Sequence, residues 1–164
     1  FRRRYLPERS SPASVLASIN TILHQRQLEE YYCTLCYTIF DLKRRTMTIA
    51  TSGLPYPVWC SATECVLIEL PGVPLGSFAG STYDEATFSL HAGEVYVFCT
   101  DGVSEAMNER GQEFTSTRLL DVVGRSRELP AAKIVAAIFH AVAEWRGDAP
   151  PNDDMTAVVV RITA

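Results

Sequence analysis

A chain of 164 residues, 47% hydrophobic and 21% charged, is long enough for one globular domain with its own core. Its net charge of −4 argues against nucleic acid as the main partner, because phosphate binding needs clustered Lys and Arg. No run of about 18 apolar residues exists to span a membrane, and Phe1–Pro7 lacks the apolar core of a signal peptide.

The basic cluster Arg2-Arg3-Arg4 reads as a solvated helix end. Ser10-Ser11-Pro12 then predicts a helix start, with Ser as cap and Pro in the first turn. Val15, Leu16, Ile19, Ile22 and Leu23 follow at helical spacing, so this helix should run to about Gln27. Tyr31 to Phe40 is aromatic and β-branched and reads as a strand. Asp41 to Arg45 is a polar hairpin connection, and Thr46 to Thr51 the returning strand. Ser52 to Pro57 is a Gly/Pro turn. Val58–Cys60 and Cys65–Leu70 form a second hairpin, followed by another Gly/Pro loop over Pro71–Ser77. Ala86, Phe88 and Leu90 alternate as in a half-exposed strand. Glu94 to Thr100 is a strongly apolar strand. Helices are predicted over Thr117–Gly124 and Ala131–Trp145, the latter with Ile134, Val135, Ile138, Phe139 and Val142 on one face. Arg146–Pro151 is an exposed loop. Thr156–Thr163 is apolar enough for a central strand. Strands grouped together, with helices outside and no regular βαβ alternation, give an α+β layered fold.

Five cysteines leave at least one outside any internal disulfide. Cys33, Cys36 and Cys99 sit in strand-like runs, where a free buried thiol is common. Cys33 and Cys36 would face opposite sides of a strand and so could not share a metal. A reducing, cytosolic setting fits this usage. His24, His91 and His140 fall on helices or in a turn and are assigned no catalytic part.

Two acidic motifs carry the chemistry. Thr100-Asp101-Gly102 closes one apolar run, and Asn152-Asp153-Asp154-Met155-Thr156 opens another. A carboxylate at the lip of a buried strand has a rigid backbone and oxygens that reach solvent, which suits a hard divalent cation. Gly102 permits a sharp turn or a close approach. Asp is also an ordinary turn or helix cap, and pattern alone leaves both readings open.

These residues resemble the metal-dependent type 2C (PPM/PP2C) serine/threonine phosphatases. The matching stretches are Thr100-Asp-Gly-Val-Ser-Glu-Ala106, Gly111-Gln-Glu-Phe114 and Asn152-Asp-Asp-Met-Thr156. The best-matching branch is the bacterial one typified by the sporulation stage II protein E (SpoIIE) phosphatase and by regulators of anti-anti-sigma factors. Ser11-Pro12 with Leu16 and Asn20, Thr51–Pro55, and Pro74-Leu-Gly76 add to the likeness, in the right order. The resemblance implies a single domain over residues 1–164, built as an antiparallel β-sandwich flanked by helices. It implies two Mn²⁺ or Mg²⁺ ions and a water, activated between them, that attacks the phosphorus of phosphoserine or phosphothreonine. Asp101 and Asp153 align with metal-binding aspartates, Gly102 serves the turn, and Asp154 and Asn152 support the ligands. The implied setting is cytoplasmic, with a phosphorylated anti-anti-sigma-type protein as substrate and a sensory or receiver domain upstream.

The chain departs from that pattern at its start. The family's first two metal aspartates lie upstream of the helix that begins here near Pro12. The acidic residues before Glu64, namely Glu8, Glu29, Glu30 and Asp41, do not fit their places. The expectation is an N-terminally incomplete domain, missing ligands that the parent protein supplies, with weak or no activity as it stands. The alternative is a non-catalytic pseudophosphatase that binds a signalling partner. Exposed strand edges would favour a homodimer. Leu54 stands where many relatives have His, and Thr115 where Gly is common.

Overall fold

The computed structural model describes residues 11–26 and 32–163. The expectations for Arg2–Arg4, Glu8, Gln27, Glu29, Glu30 and Tyr31 lie outside the described residues. The chain forms two compact units. One holds the described residues up to Leu54 together with Leu70–Leu90, and the other Pro55–Glu69 and the described residues from His91 onward.

The first unit contains helix α1 (Pro12–Gln25) and a three-stranded antiparallel sheet in the order β1 (Leu35–Asp41), β2 (Thr46–Ser52), β5 (Ala86–Ser89). Helix α1 starts where predicted. The Ser11 hydroxyl accepts from the Ser14 N–H at 3.3 Å, and Pro12, which has no N–H to satisfy, occupies the first turn. The β1–β2 hairpin closes through Asp41, whose carboxylate accepts from the Lys43 and Arg44 N–H groups. Strand β1 starts later than expected, because Cys33 pairs with Leu75 in an isolated bridge instead of continuing the β2 ladder. Leu16, Ala50, Leu75 and Tyr83 form this unit's buried core.

Asn20 shares that interior and is fully buried. Its amide donates to the Phe78 carbonyl at 3.0 Å and accepts from the Gly76 N–H at 2.8 Å, while the Tyr83 hydroxyl adds a longer contact at 3.4 Å. One side chain thus fixes the loop after Leu75 against α1.

The second unit contains a four-stranded antiparallel sheet in the order β4 (Cys65–Leu67), β3 (Val58–Cys60), β6 (Val95–Cys99), β7 (Ala157–Arg161). It also contains α2 (Asp101–Ser104), α3 (Thr115–Ser126) and α4 (Ala131–Arg146). Val58, Val95 and Val97 from the sheet meet Leu119 and Val123 of α3 and Ile134, Ile138 and Val142 of α4. The four-residue spacing on each helix puts one apolar stripe against the sheet. Strand β4 ends at Leu67, short of the expected Leu70.

Two expectations change here, and one pairing is new. Strand β7 lies at the edge of its sheet rather than at its centre, and Val158 is 52% exposed. Its apolar sequence reflects packing of alternate side chains such as Val159 on the core, not a second hydrogen-bonded neighbour. Cys33 is exposed rather than buried, and Cys36 and Cys99 are half-buried. Cys60 and Cys65, directly opposite each other in the β3–β4 pair, form a disulfide. No helix among the described residues is long and apolar enough to cross a membrane.

Asn20→Ala should lower stability by about 1–3 kcal/mol, because it leaves the half-buried Gly76 N–H without its partner and removes one of the two donors to the Phe78 carbonyl, the Ser81 hydroxyl being the other. Denaturant unfolding of the two proteins measures it. A change below about 0.5 kcal/mol would mean that the Asn20 bonds hold nothing in place.

Candidate active site

Strands β6 and β7 pair antiparallel from Val95↔Arg161 to Cys99↔Ala157. The two acidic motifs are the chain segments that leave this ladder at the same end. The pairing continues one residue further: Thr100 N–H donates to the Thr156 carbonyl at 3.0 Å, and Thr156 N–H donates to the Thr100 hydroxyl at 2.9 Å. The same hydroxyl donates to the Asp154 carbonyl at 3.2 Å. Thr100 therefore fastens both motifs together with one side chain. It is a member of the first motif, and its hydroxyl role is legible only once the register of β6 on β7 is known.

Asp101 does not end a strand in a turn, as the sequence suggested. It opens the short helix α2, with Thr100 at the capping position and the Glu105 N–H bonded to the Asp101 carbonyl at 2.8 Å. Gly102 lies within this helix and is buried. A β-carbon on it would run into the Asp154 carbonyl oxygen and come within 3.3 Å of the Asp153 β-carbon. Gly102 is thus required for close approach of two backbones, not for a left-handed turn. That approach brings the backbone just after Asp101 against the Asp153–Asp154 segment.

Both carboxylates are exposed. One oxygen of Asp101 accepts from the Gly102 N–H at 3.0 Å, and one of Asp153 from the Asp154 N–H at 2.7 Å. Each side chain is held by the next residue's amide and keeps its other oxygen open to solvent. Neither forms an ion pair among the described residues. Asn152 donates to the Glu105 carbonyl at 3.1 Å, so it ties the second motif to the far end of α2 rather than bonding Asp153. Asp154 contributes its backbone carbonyl to Thr100, and its side chain is exposed.

Beside α2 lies a cavity of about 300 Å³ within the second unit. Leu67, Val97, Cys99 and Leu119 supply its apolar lining, and Tyr56, Ser104, Glu105, Glu113, Thr115 and Ser116 its polar one. Sequence reading gave Glu105 and Glu113 no separate part. Burial pushes the Cys99 thiol up to about 12, so at neutral pH it is protonated and no nucleophile. Thr115 adopts φ +71°, a left-handed conformation costly for a β-branched residue. His24, His91 and His140 stand elsewhere, against Gly76, Glu94 and Glu144 respectively.

The donor set is hard oxygen throughout, the type that Mn²⁺ and Mg²⁺ take. It is also partial: among the described residues, no group of three or more His, Cys, Asp or Glu is placed to hold an ion.

The sequence matches the family described as Stage II sporulation protein E (SpoIIE) over residues 2–163. The chain belongs to the SpoIIE family. It is 24% identical over 159 residues to the phosphoserine phosphatase RsbU of Bacillus subtilis (strain 168), covering 95% of this chain and 47% of RsbU. The chain thus spans about half the length of that relative. The SiaA-PP2C domain of Pseudomonas aeruginosa superposes with a TM-score of 0.81 at 21% identity, covering 93% of this chain and 61% of that one. The catalytic domain of the serine/threonine protein phosphatase PstP, in complex with 2 manganese ions, superposes with a TM-score of 0.66 at 14% identity, covering 93% and 70%. The fold is therefore that of the PP2C phosphatases, with helices and antiparallel sheets as expected. Two of the stretches that carry the resemblance in sequence, Thr100–Ala106 and Asn152–Thr156, meet at Gly102.

Two substitutions at this SpoIIE-family site should move stability in opposite directions. Gly102→Ala should cost about 1–3 kcal/mol by overpacking the Asp154 carbonyl. Thr115→Gly should gain up to about 1 kcal/mol, the relieved left-handed strain outweighing glycine's entropy. Thermal unfolding reads both, and a neutral Gly102→Ala would contradict the close approach.

Proposed function

We propose that this chain is the larger, C-terminal part of a metal-dependent phosphatase domain that hydrolyses phosphoserine or phosphothreonine on a regulatory protein. The observation that supports the reading is the close packing of Gly102 on Asp153 and Asp154, which puts the two acidic segments in contact.

Asp101 and Asp153 would hold the cation, each through the oxygen left free by its amide bond. A divalent ion bound there supplies Lewis acidity, making water a stronger nucleophile at neutral pH and neutralising phosphoryl charge. Thr100 and Gly102 keep the two carboxylates at fixed separation, so little reorganisation is needed on loading. Asn152 anchors the second motif to α2. Asp154 is proposed to support the shell from its outer side. Cys99, protonated and half-buried, has no part as a nucleophile.

Two carboxylates cannot complete the shells of two ions that each take about six oxygens. The remaining donors would come from elsewhere in the full-length protein, and the 164-residue chain alone should bind Mn²⁺ weakly. The substrate class proposed is a phosphorylated anti-anti-sigma-type protein, in line with RsbU's description as a phosphoserine phosphatase. A sensory or receiver domain upstream would control the site, and the protein would act in the cytoplasm. There Cys60 and Cys65 would stand as facing thiols, since reducing conditions open such bonds. Pairing of exposed strand edges would make a homodimer.

The second reading, a partner-binding domain without catalysis, draws on the lack of a three-carboxylate group among the described residues. The two separate in one assay. With Mn²⁺, the full-length protein should hydrolyse p-nitrophenyl phosphate, and Asp101→Asn should reduce that rate by about 100-fold, the upper end of what losing even an outer-shell partner of a metal costs. Equal rates in both proteins would remove Asp101 from the mechanism. No activity in either would favour the binding domain.

A further inference from the structure

The cavity beside α2 has features that holding a metal does not require. Its lining includes the apolar side chains of Leu67, Val97 and Leu119 and two acidic residues, Glu105 and Glu113. Among the described residues neither carboxylate has a hydrogen bond or an ion pair. The nearby cation, Arg118, stacks on Trp145 at 3.8 Å and donates to the backbone carbonyls of Phe114 at 3.0 Å and Glu113 at 3.4 Å, without an ion pair to either carboxylate. Two exposed carboxylates without an ion pair among the described residues thus line a cavity that also presents apolar side chains.

The walls are rigid, which a binding site needs. Glu113 is fixed by an isolated bridge to Met107 and by the next residue, Phe114, whose N–H bonds the Ala106 carbonyl at 2.9 Å. Phe114 is buried, and its ring meets Trp145 edge-on. The Trp145 indole also donates to the Gln112 carbonyl at 3.1 Å. Glu105 ends α2, and its carbonyl is held by Asn152.

We infer that this cavity takes the side chain of an Arg or Lys of the substrate protein, close in sequence to its phosphorylated residue. The shape and chemistry match such a chain: an apolar stem to lie on Leu67, Val97 and Leu119, and a cationic head to sit between carboxylates. At about 300 Å³ the cavity is at the small end for ligand sites, suited to one long side chain rather than a cofactor. Its position fits too. Glu105 lies four residues along α2 from Asp101, about 6 Å of helix rise. An extended chain advances about 3.3 Å per residue, so the basic residue falls two or three positions from the phosphorylated one.

This inference rests on the phosphatase reading for its substrate, but binding can be read without turnover. The probes are two fluorescein-labelled nine-residue phosphoserine peptides, one with Arg at the second and third positions either side of the phosphoserine, the other with Ala there. The protein is the full-length chain carrying Asp101→Asn, titrated by fluorescence anisotropy at about 50 mM salt. The Arg peptide should bind five- to tenfold tighter, and adding Glu105→Gln with Glu113→Gln should abolish that preference. Replacing both glutamates with Lys should reverse it, and melting curves confirm that each variant is folded. Equal affinity for both peptides, or a preference kept in the Gln variant, would overturn the inference. Failure of wild-type protein with Mn²⁺ to hydrolyse either peptide, with the binding preference intact, would instead overturn the phosphatase reading and leave the basic-residue site standing.

Discussion

The junction where β6 and β7 end holds the rest of the site in place. Two chain segments separated by about fifty residues leave one ladder together, and Thr100 bonds across the gap in three ways. Backbone contact follows at Gly102, where no side chain fits. Carboxylates repel one another, and two of them brought together cost free energy unless a cation compensates. The hydrogen bonds and packing of the junction hold together the two segments that carry Asp101 and Asp153. Neither aspartate forms an ion pair with a Lys or Arg among the described residues.

The junction in turn depends on the core beneath it. Val95 and Val97 of β6 are buried against α3 and α4, which fixes the height at which the strand ends. Arg118, Phe114 and Trp145 bind the loop after α2 to α4. The consequence is a rigid second unit in which α2, only four residues long, is held at both ends rather than by its own turns. Its first residue belongs to the acidic pair and the residue after its end to the cavity wall. One short element thus links the proposed chemistry to the proposed recognition of a basic side chain.

Much of this was legible in the sequence, for reasons that differ by element. Helix α4 announced itself through the spacing of Ile134, Ile138 and Val142, and α1 through Ser11 and Pro12, because caps and periodicity are local. The acidic motifs stood out because aspartates flanked apolar runs. Helix α2 did not, since four residues carry no period and Gly102 suggests a turn. The place of β7 at a sheet edge was hidden, because an apolar run looks the same whether it has one paired neighbour or two. The Cys60–Cys65 pairing depended on hairpin register, and the cavity on which side chains of β4, β6 and α3 converge. Neither is a property of a window of sequence.

The central claim is that Asp101 and Asp153 form one cation-binding unit. Its most direct test is Mn²⁺ binding to the full-length protein, followed by calorimetry and by the loss of the free-ion electron paramagnetic resonance spectrum. The account predicts that Asp101→Asn and Asp153→Asn each weaken binding at least about tenfold. It also predicts that the double variant is little worse than either single one, because a shared ligand pair acts as a unit. Wild-type affinity in both single variants, or fully additive losses, would contradict it.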